Sequence, residues 1–126
     1  MNSLIIDLDG TITEFKKEGQ EYEDLDPNLS VVKMMRDYKS AGYRIVIHTA
    51  RNMRTFEGQV DLIIMHTLPT IERWLKKHSI PFDDIVVGKP WCGPEGIYVD
   101  DRAVRPDEFV SMGRQEIIRF LRAKSQ

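Results

Sequence analysis

At 126 residues with 41% apolar content, the chain has material for one hydrophobic core and no room for a second domain. Its net charge of -2, with both signs interspersed, excludes the basic surface that a nucleic-acid backbone demands, so no nucleic-acid partner is expected. A single cysteine, Cys92, excludes an internal disulfide and a zinc cluster, and the absence of an export signal or a long apolar run points to a cytoplasmic location with no membrane partner.

In chain order, Ser3 to Leu8 is short, apolar and rich in isoleucine, as a strand buried in a parallel sheet would be. From Thr11 to Asp26 the chain turns polar and acidic, alternating at first, which predicts a small β-hairpin flap followed by a loop. Asp26 as N-cap and Pro27 as first residue open a helix that runs to Gly42, with Val31, Met34, Met35 and Tyr38 at helical spacing. Tyr43 to Thr49 reads as the second strand, while Leu62 to Met65 reads equally as a short strand or as buried loop. Thr67 to His78 reads as a helix, Asp84 to Val87 and Ile97 to Asp100 as third and fourth strands, and Ser111 to Ala123 as a closing amphipathic helix. Alternating strands and helices predict a three-layer, Rossmann-like α/β fold around a central, mainly parallel sheet, in one domain over residues 1–126.

In such sheets ligands bind beyond the carboxyl ends of the strands, so the polar residues there carry the functional expectation. Asp7 and Asp9 flank Leu8 at the end of the first strand, and a period of two turns both carboxylates to one side. Thr49 ends the second strand, Lys89 follows the third, and Asp100 with Asp101 ends the fourth. Each alone has an ordinary explanation in strand propensity, surface charge or turn chemistry; together they put acids, a hydroxyl and a cation at four successive strand ends. Arg51, Asn52 and Arg54 follow Thr49 closely enough for an arginine to read a phosphate, carboxylate or sugar on a substrate. Cys92 is expected to be structural, and His48, His66 and His78 match no zinc spacing.

Asp7-Leu8-Asp9-Gly10-Thr11 resembles the DxDGT signature of haloacid-dehalogenase-like (HAD-like) hydrolases, and Thr49, Lys89 and the Asp100-Asp101 pair follow in that family's order. His48 to Arg54, Gly88 to Gly93 and Tyr98 to Ala103 are similar to the bacterial capsule-biosynthesis phosphatase branch. The resemblance implies a Mg²⁺-dependent phosphatase acting on a phosphate monoester, a sugar phosphate or related metabolite of surface polysaccharide synthesis. It implies Asp7 as nucleophile, Asp9 as general acid and base, and Thr49, Lys89 and the backbone amides from Asp9 through Gly10 to Thr11 as holders of the phosphoryl oxygens. Metal binding would fall to Asp7, the backbone carbonyl of Asp9, Asp100 and, through water, Asp101. With about fifteen residues between Thr11 and the first helix there is no room for a cap domain, so cover over the site is expected from the flap at Glu14 to Asp24, the Arg51 to His66 loop, or a neighbouring subunit of a homo-oligomer, a tetramer in some capless relatives. Other expectations remain open: the same chemistry on nucleotides or phosphoproteins, a receiver-like phosphoacceptor, and a non-catalytic interaction module. The early position of Asp7 counts against the receiver, and the complete set of acids counts against the silent module.

Overall fold

Three parallel strands form the sheet that positions the site: β1 (Ser3–Ile6), β2 (Arg44–Thr49) and β3 (Asp84–Val87), side by side in that order. In the computed structural model, which describes residues 1–124, Ile6 pairs with Ile47 and Ile47 with Ile85, so the strands end at nearly one level. β2 lies in the centre and buries Ile45, Ile47 and Thr49 on one face, the alternation expected of a period of two. Because parallel neighbours cannot be joined by a tight turn, helices make the crossovers. α1 (Leu29–Ser40) joins β1 to β2, and α2 (Val60–His66) with α3 (Leu68–Lys77) joins β2 to β3. α1 buries Val31, Met35 and Tyr38 along one stripe, and α3 does the same with Ile71, Trp74 and Leu75. This is a compact α/β fold of Rossmann-like type, a parallel sheet flanked by helices.

Asp83, just before β3, ties the amino ends of the strands together. Its carboxylate accepts the Ile45 N–H at 2.7 Å and the Lys39 ammonium at 2.6 Å, while its own N–H donates to the Ile45 carbonyl at 2.8 Å. These bonds hold the carboxyl below its ordinary value of 3.8, the Ile45 amide first and Lys39 second.

Several local expectations give way. The hairpin flap does not form: residues 11–26 hold a 3-10 turn at Tyr22–Asp24 and bridges at Thr13, and the charged run from Lys16 to Glu21 lacks apolar cross-strand partners. α1 starts at Leu29 with Asn28 as N-cap, not at Pro27, because Pro27 is drawn into an antiparallel bridge with Thr13 and the Asn28 N–H donates to the Ile12 carbonyl at 2.7 Å. Leu62 to Met65 is helical, within α2.

The chain divides into two compact units, Met1–Trp91 and Cys92–Gln126. The sheet and α1 to α3 make up the first. In the second, the closing helix expected from Ser111 forms as α5 (Arg114–Lys124), preceded by a short helix that was not expected, α4 (Pro106–Ser111), with Phe109 and Ile117 buried. Pro106 fits the first turn of α4, and the Glu108 carboxylate caps it by accepting the Arg105 N–H at 2.8 Å. Ile97 to Asp100 forms no strand, and its residues are exposed. No helix among the described residues is long and apolar enough to cross a membrane.

Candidate functional site

Asp7 is the first residue beyond β1, and it stands at the carboxyl ends of the parallel strands. There the chain folds back on itself. The Leu8 carbonyl accepts the N–H groups of Thr11, Ile12 and Thr13 at 3.2, 2.9 and 3.1 Å, a turn that needs the left-handed conformation of Gly10 at φ 82°. A side chain at Gly10 would also meet the Phe15 ring. The turn brings the Thr11 hydroxyl to Asp7 Oδ2, to which it donates at 3.2 Å.

From β3 the chain passes through Gly88, at φ 86°, to Lys89, whose N–H donates to the Thr49 carbonyl at 3.1 Å. That bond sets the side chain so that Nζ stands 3.6 Å from Asp7 Oδ1. Asp7 therefore has a hydroxyl on one oxygen and an ammonium facing the other, and at 35% exposure it remains open to a ligand.

Thr49 is almost fully buried, and its hydroxyl oxygen accepts the Arg51 N–H at 3.1 Å. Arg51 turns inward. Its Nε donates to Asp9 Oδ2 at 3.1 Å and its Nη2 to Asp9 Oδ1 at 2.8 Å, a two-pronged ion pair in which the arginine side chain is 2% exposed. The Tyr22 ring lies over the guanidinium, with Cζ 4.0 Å from the ring centre. Burial pushes the Tyr22 hydroxyl above its ordinary value, the Asp9 charge adds to the rise, and Arg51 offsets part of it. At His48, burial and then the Lys89 charge push the imidazole down, against an opposing pull from Asp7.

The structure thus joins Asp7, Asp9, Gly10, Thr11, Thr49, Arg51 and Lys89 in one network at the strand ends. Asp7 and Asp9 do not face a common partner, because β1 stops at Ile6 and the period of two lapses in the turn that follows. Asn52 takes a left-handed backbone at φ 63° and its side-chain amide donates to Thr67 Oγ1 at 2.7 Å, which ties the loop to the start of α3. Arg54 is exposed in the same loop. Asp100 and Asp101 belong to the second unit, where both are exposed and Asp100 Oδ1 accepts the Arg102 N–H at 2.8 Å. Among the described residues no three His, Cys, Asp or Glu side chains cluster as a metal site. Cys92 is a free, half-buried thiol. Sequence reasoning missed Tyr22, an aromatic among charged residues whose only signal was that isolation.

No protein-family model and no curated protein matches the chain. Among solved structures, two chains from structures of the Pnkp1/Rnl/Hen1 complex, one of them described as an RNA repair complex, are 22% and 20% identical, with TM-scores of 0.49 and 0.50. They cover 68% and 86% of this chain but 25% and 33% of their own, and the second is a likeness of fold alone. A crystal structure of an MCSG target from Vibrio cholerae matches with a TM-score of 0.93 and 52% identity, over 98% of this chain and 99% of that one. At that identity across both chains, this protein belongs to one family with the Vibrio cholerae protein.

Proposed function

We propose that the protein is a phosphatase of the haloacid-dehalogenase type that hydrolyses a phosphate monoester through an aspartyl-phosphate on Asp7. The observation that supports this best is the setting of Asp7: a partly exposed carboxylate at the end of β1, held by the Thr11 hydroxyl and faced by the Lys89 ammonium. A nucleophile needs a fixed direction of attack, and the phosphate it attacks needs its negative charge met.

In this reading an Asp7 oxygen bonds to phosphorus while the ester P–O bond breaks, and its electron pair leaves on the alkoxide. Asp9 gives that oxygen a proton. In the second half-reaction Asp9 takes a proton from water as the water oxygen bonds to phosphorus, the bond to Asp7 breaks, and the Asp7 carboxylate is restored with phosphate as product. Lys89, Thr49 and the amides around Gly10 hold the phosphoryl oxygens as charge redistributes.

The donor chemistry suits Mg²⁺, which takes one or two carboxylates together with phosphate oxygens and water and so needs no cluster of three acidic side chains. Asp7 and the backbone carbonyl of Asp9 would hold it. Bound there, the ion supplies neutralisation of the phosphate charge.

The substrate we propose is a small phosphorylated metabolite in the cytoplasm, a sugar phosphate of capsule or surface polysaccharide synthesis, handled by a homo-oligomer. A screen of phosphorylated metabolites with Mg²⁺ tests it. The expected result is metal-dependent phosphate release strongest for sugar phosphates; turnover confined to nucleotides or phosphopeptides overturns the substrate class, and no turnover of any monoester overturns the phosphatase reading.

A further inference from the structure

The two-pronged pair between Arg51 and Asp9 is costly to build. A guanidinium with 2% side-chain exposure has given up its water, and such pairs often stabilise no better than apolar residues of similar size. Arg51 is nevertheless fixed on four sides: both oxygens of Asp9 by its fork, Thr49 Oγ1 by its backbone N–H, and the Tyr22 ring over its plane. An arginine meant to reach out to a substrate would stand in solvent with its donors turned outward. This one is committed inward, and what it fixes is the plane and position of one carboxylate.

We infer that Arg51 is a positioning residue that acts through Asp9, with Tyr22 from the 14–26 loop as its backing, and not a reader of the substrate. The inference rests on the phosphatase reading, in which Asp9 moves the proton in both half-reactions. Proton transfer falls off steeply with misplacement, and the fork fixes Asp9 relative to Asp7 across the gap between the first and second strand ends. Both oxygens are engaged, Oδ2 by Nε at 3.1 Å and Oδ1 by Nη2 at 2.8 Å, so the fork sets the plane of the carboxylate as well as its position. Lysine cannot substitute, because a point charge does not fix a plane.

A double-mutant cycle on 4-nitrophenyl phosphate with Mg²⁺ tests this, using wild type, Arg51→Gln, Asp9→Asn and the double variant. Arg51→Gln is expected to lower kcat by about 10- to 100-fold with KM within about threefold, and Arg51→Lys to fail to restore kcat. In the Asp9→Asn background the same change is expected to alter kcat by less than about threefold, because residues that act as a unit do not lose activity additively. Tyr22→Leu leaves the ion pair in place and is expected to reduce kcat in the same direction by about threefold, again only when Asp9 is present; it carries the test if Arg51→Gln fails to fold. Additive losses, a rise in KM with kcat retained, or full activity of Arg51→Lys would each overturn the inference while leaving the phosphatase reading intact. A wild type that turns over neither this ester nor any other phosphate monoester overturns both.

Discussion

Asp7→Asn separates chemistry from folding more sharply than any other single change. Asparagine keeps an oxygen that can accept from Thr11 Oγ1, now at 3.2 Å, and removes the charge that faces Lys89 Nζ at 3.6 Å. With the Lys89 and Asp7 side chains 21% and 35% exposed, that ion pair contributes about 0.2–1 kcal/mol. In a domain of this size the fall in Tm should be no more than about 5 °C. Activity has no such cushion, since an amide cannot form the acyl phosphate, and loss of a nucleophile costs at least about 10,000-fold in kcat. The assay pairs Mg²⁺-dependent release of 4-nitrophenolate with a thermal melt on the same preparation. A variant with full activity refutes the role of Asp7, and a Tm lowered by more than about 10 °C shows that the carboxylate holds the fold and that lost activity says nothing about chemistry.

Asp83→Ala removes a charged acceptor from the Ile45 N–H and from Lys39, and should destabilise by about 2 kcal/mol at neutral pH. Because the folded carboxyl titrates below its ordinary value of 3.8, its contribution is complete above that value and is lost as the pH falls through the lower folded one; denaturant titrations of wild type and variant should converge in acid, and a gap that stays constant would show that the bonds do not favour the ionised form. Trp74→Phe deletes the indole N–H that donates to the buried Leu25 carbonyl at 2.8 Å, and should cost about 1–3 kcal/mol while speeding proteolytic cleavage between residues 14 and 25. Unchanged cleavage would mean that this bond does not restrain the loop.

The three strands of the sheet were legible because their signal is local: a few β-branched residues bounded by glycine, proline or charge at Ser3, Tyr43 and Asp84. Helix starts were less so. Asp26-Pro27 carries a strong local helix signal, and a tertiary bridge to Thr13 overrides it. Ile97 to Asp100 has the composition of a strand, but a strand is a pairing and not a composition, and these residues are not assigned to one. At the site, Asp7, Thr49 and Lys89 could be found by asking what stands at each strand end. The partnership of Arg51 with Asp9 could not, since it depends on a rotamer turned inward across 42 residues of sequence separation. Tyr22 was hidden for the same reason: only the folded chain brings a loop aromatic over a buried guanidinium.

The segment from Glu14 to Asp26 is clasped at its base by the Thr13–Pro27 bridge and by the bond from the Asn28 N–H to the Ile12 carbonyl. Such a neck insulates the sheet from whatever the loop becomes. Doubling the loop would cost only about 0.6 kcal/mol in closure entropy, and nothing in the pairing of β1 with β2 would have to change. The chain therefore carries a ready point of insertion beside Asp7, where longer loops could be grafted to reshape what enters the site while the strand register, and with it the placement of Thr49 and Lys89, stays fixed.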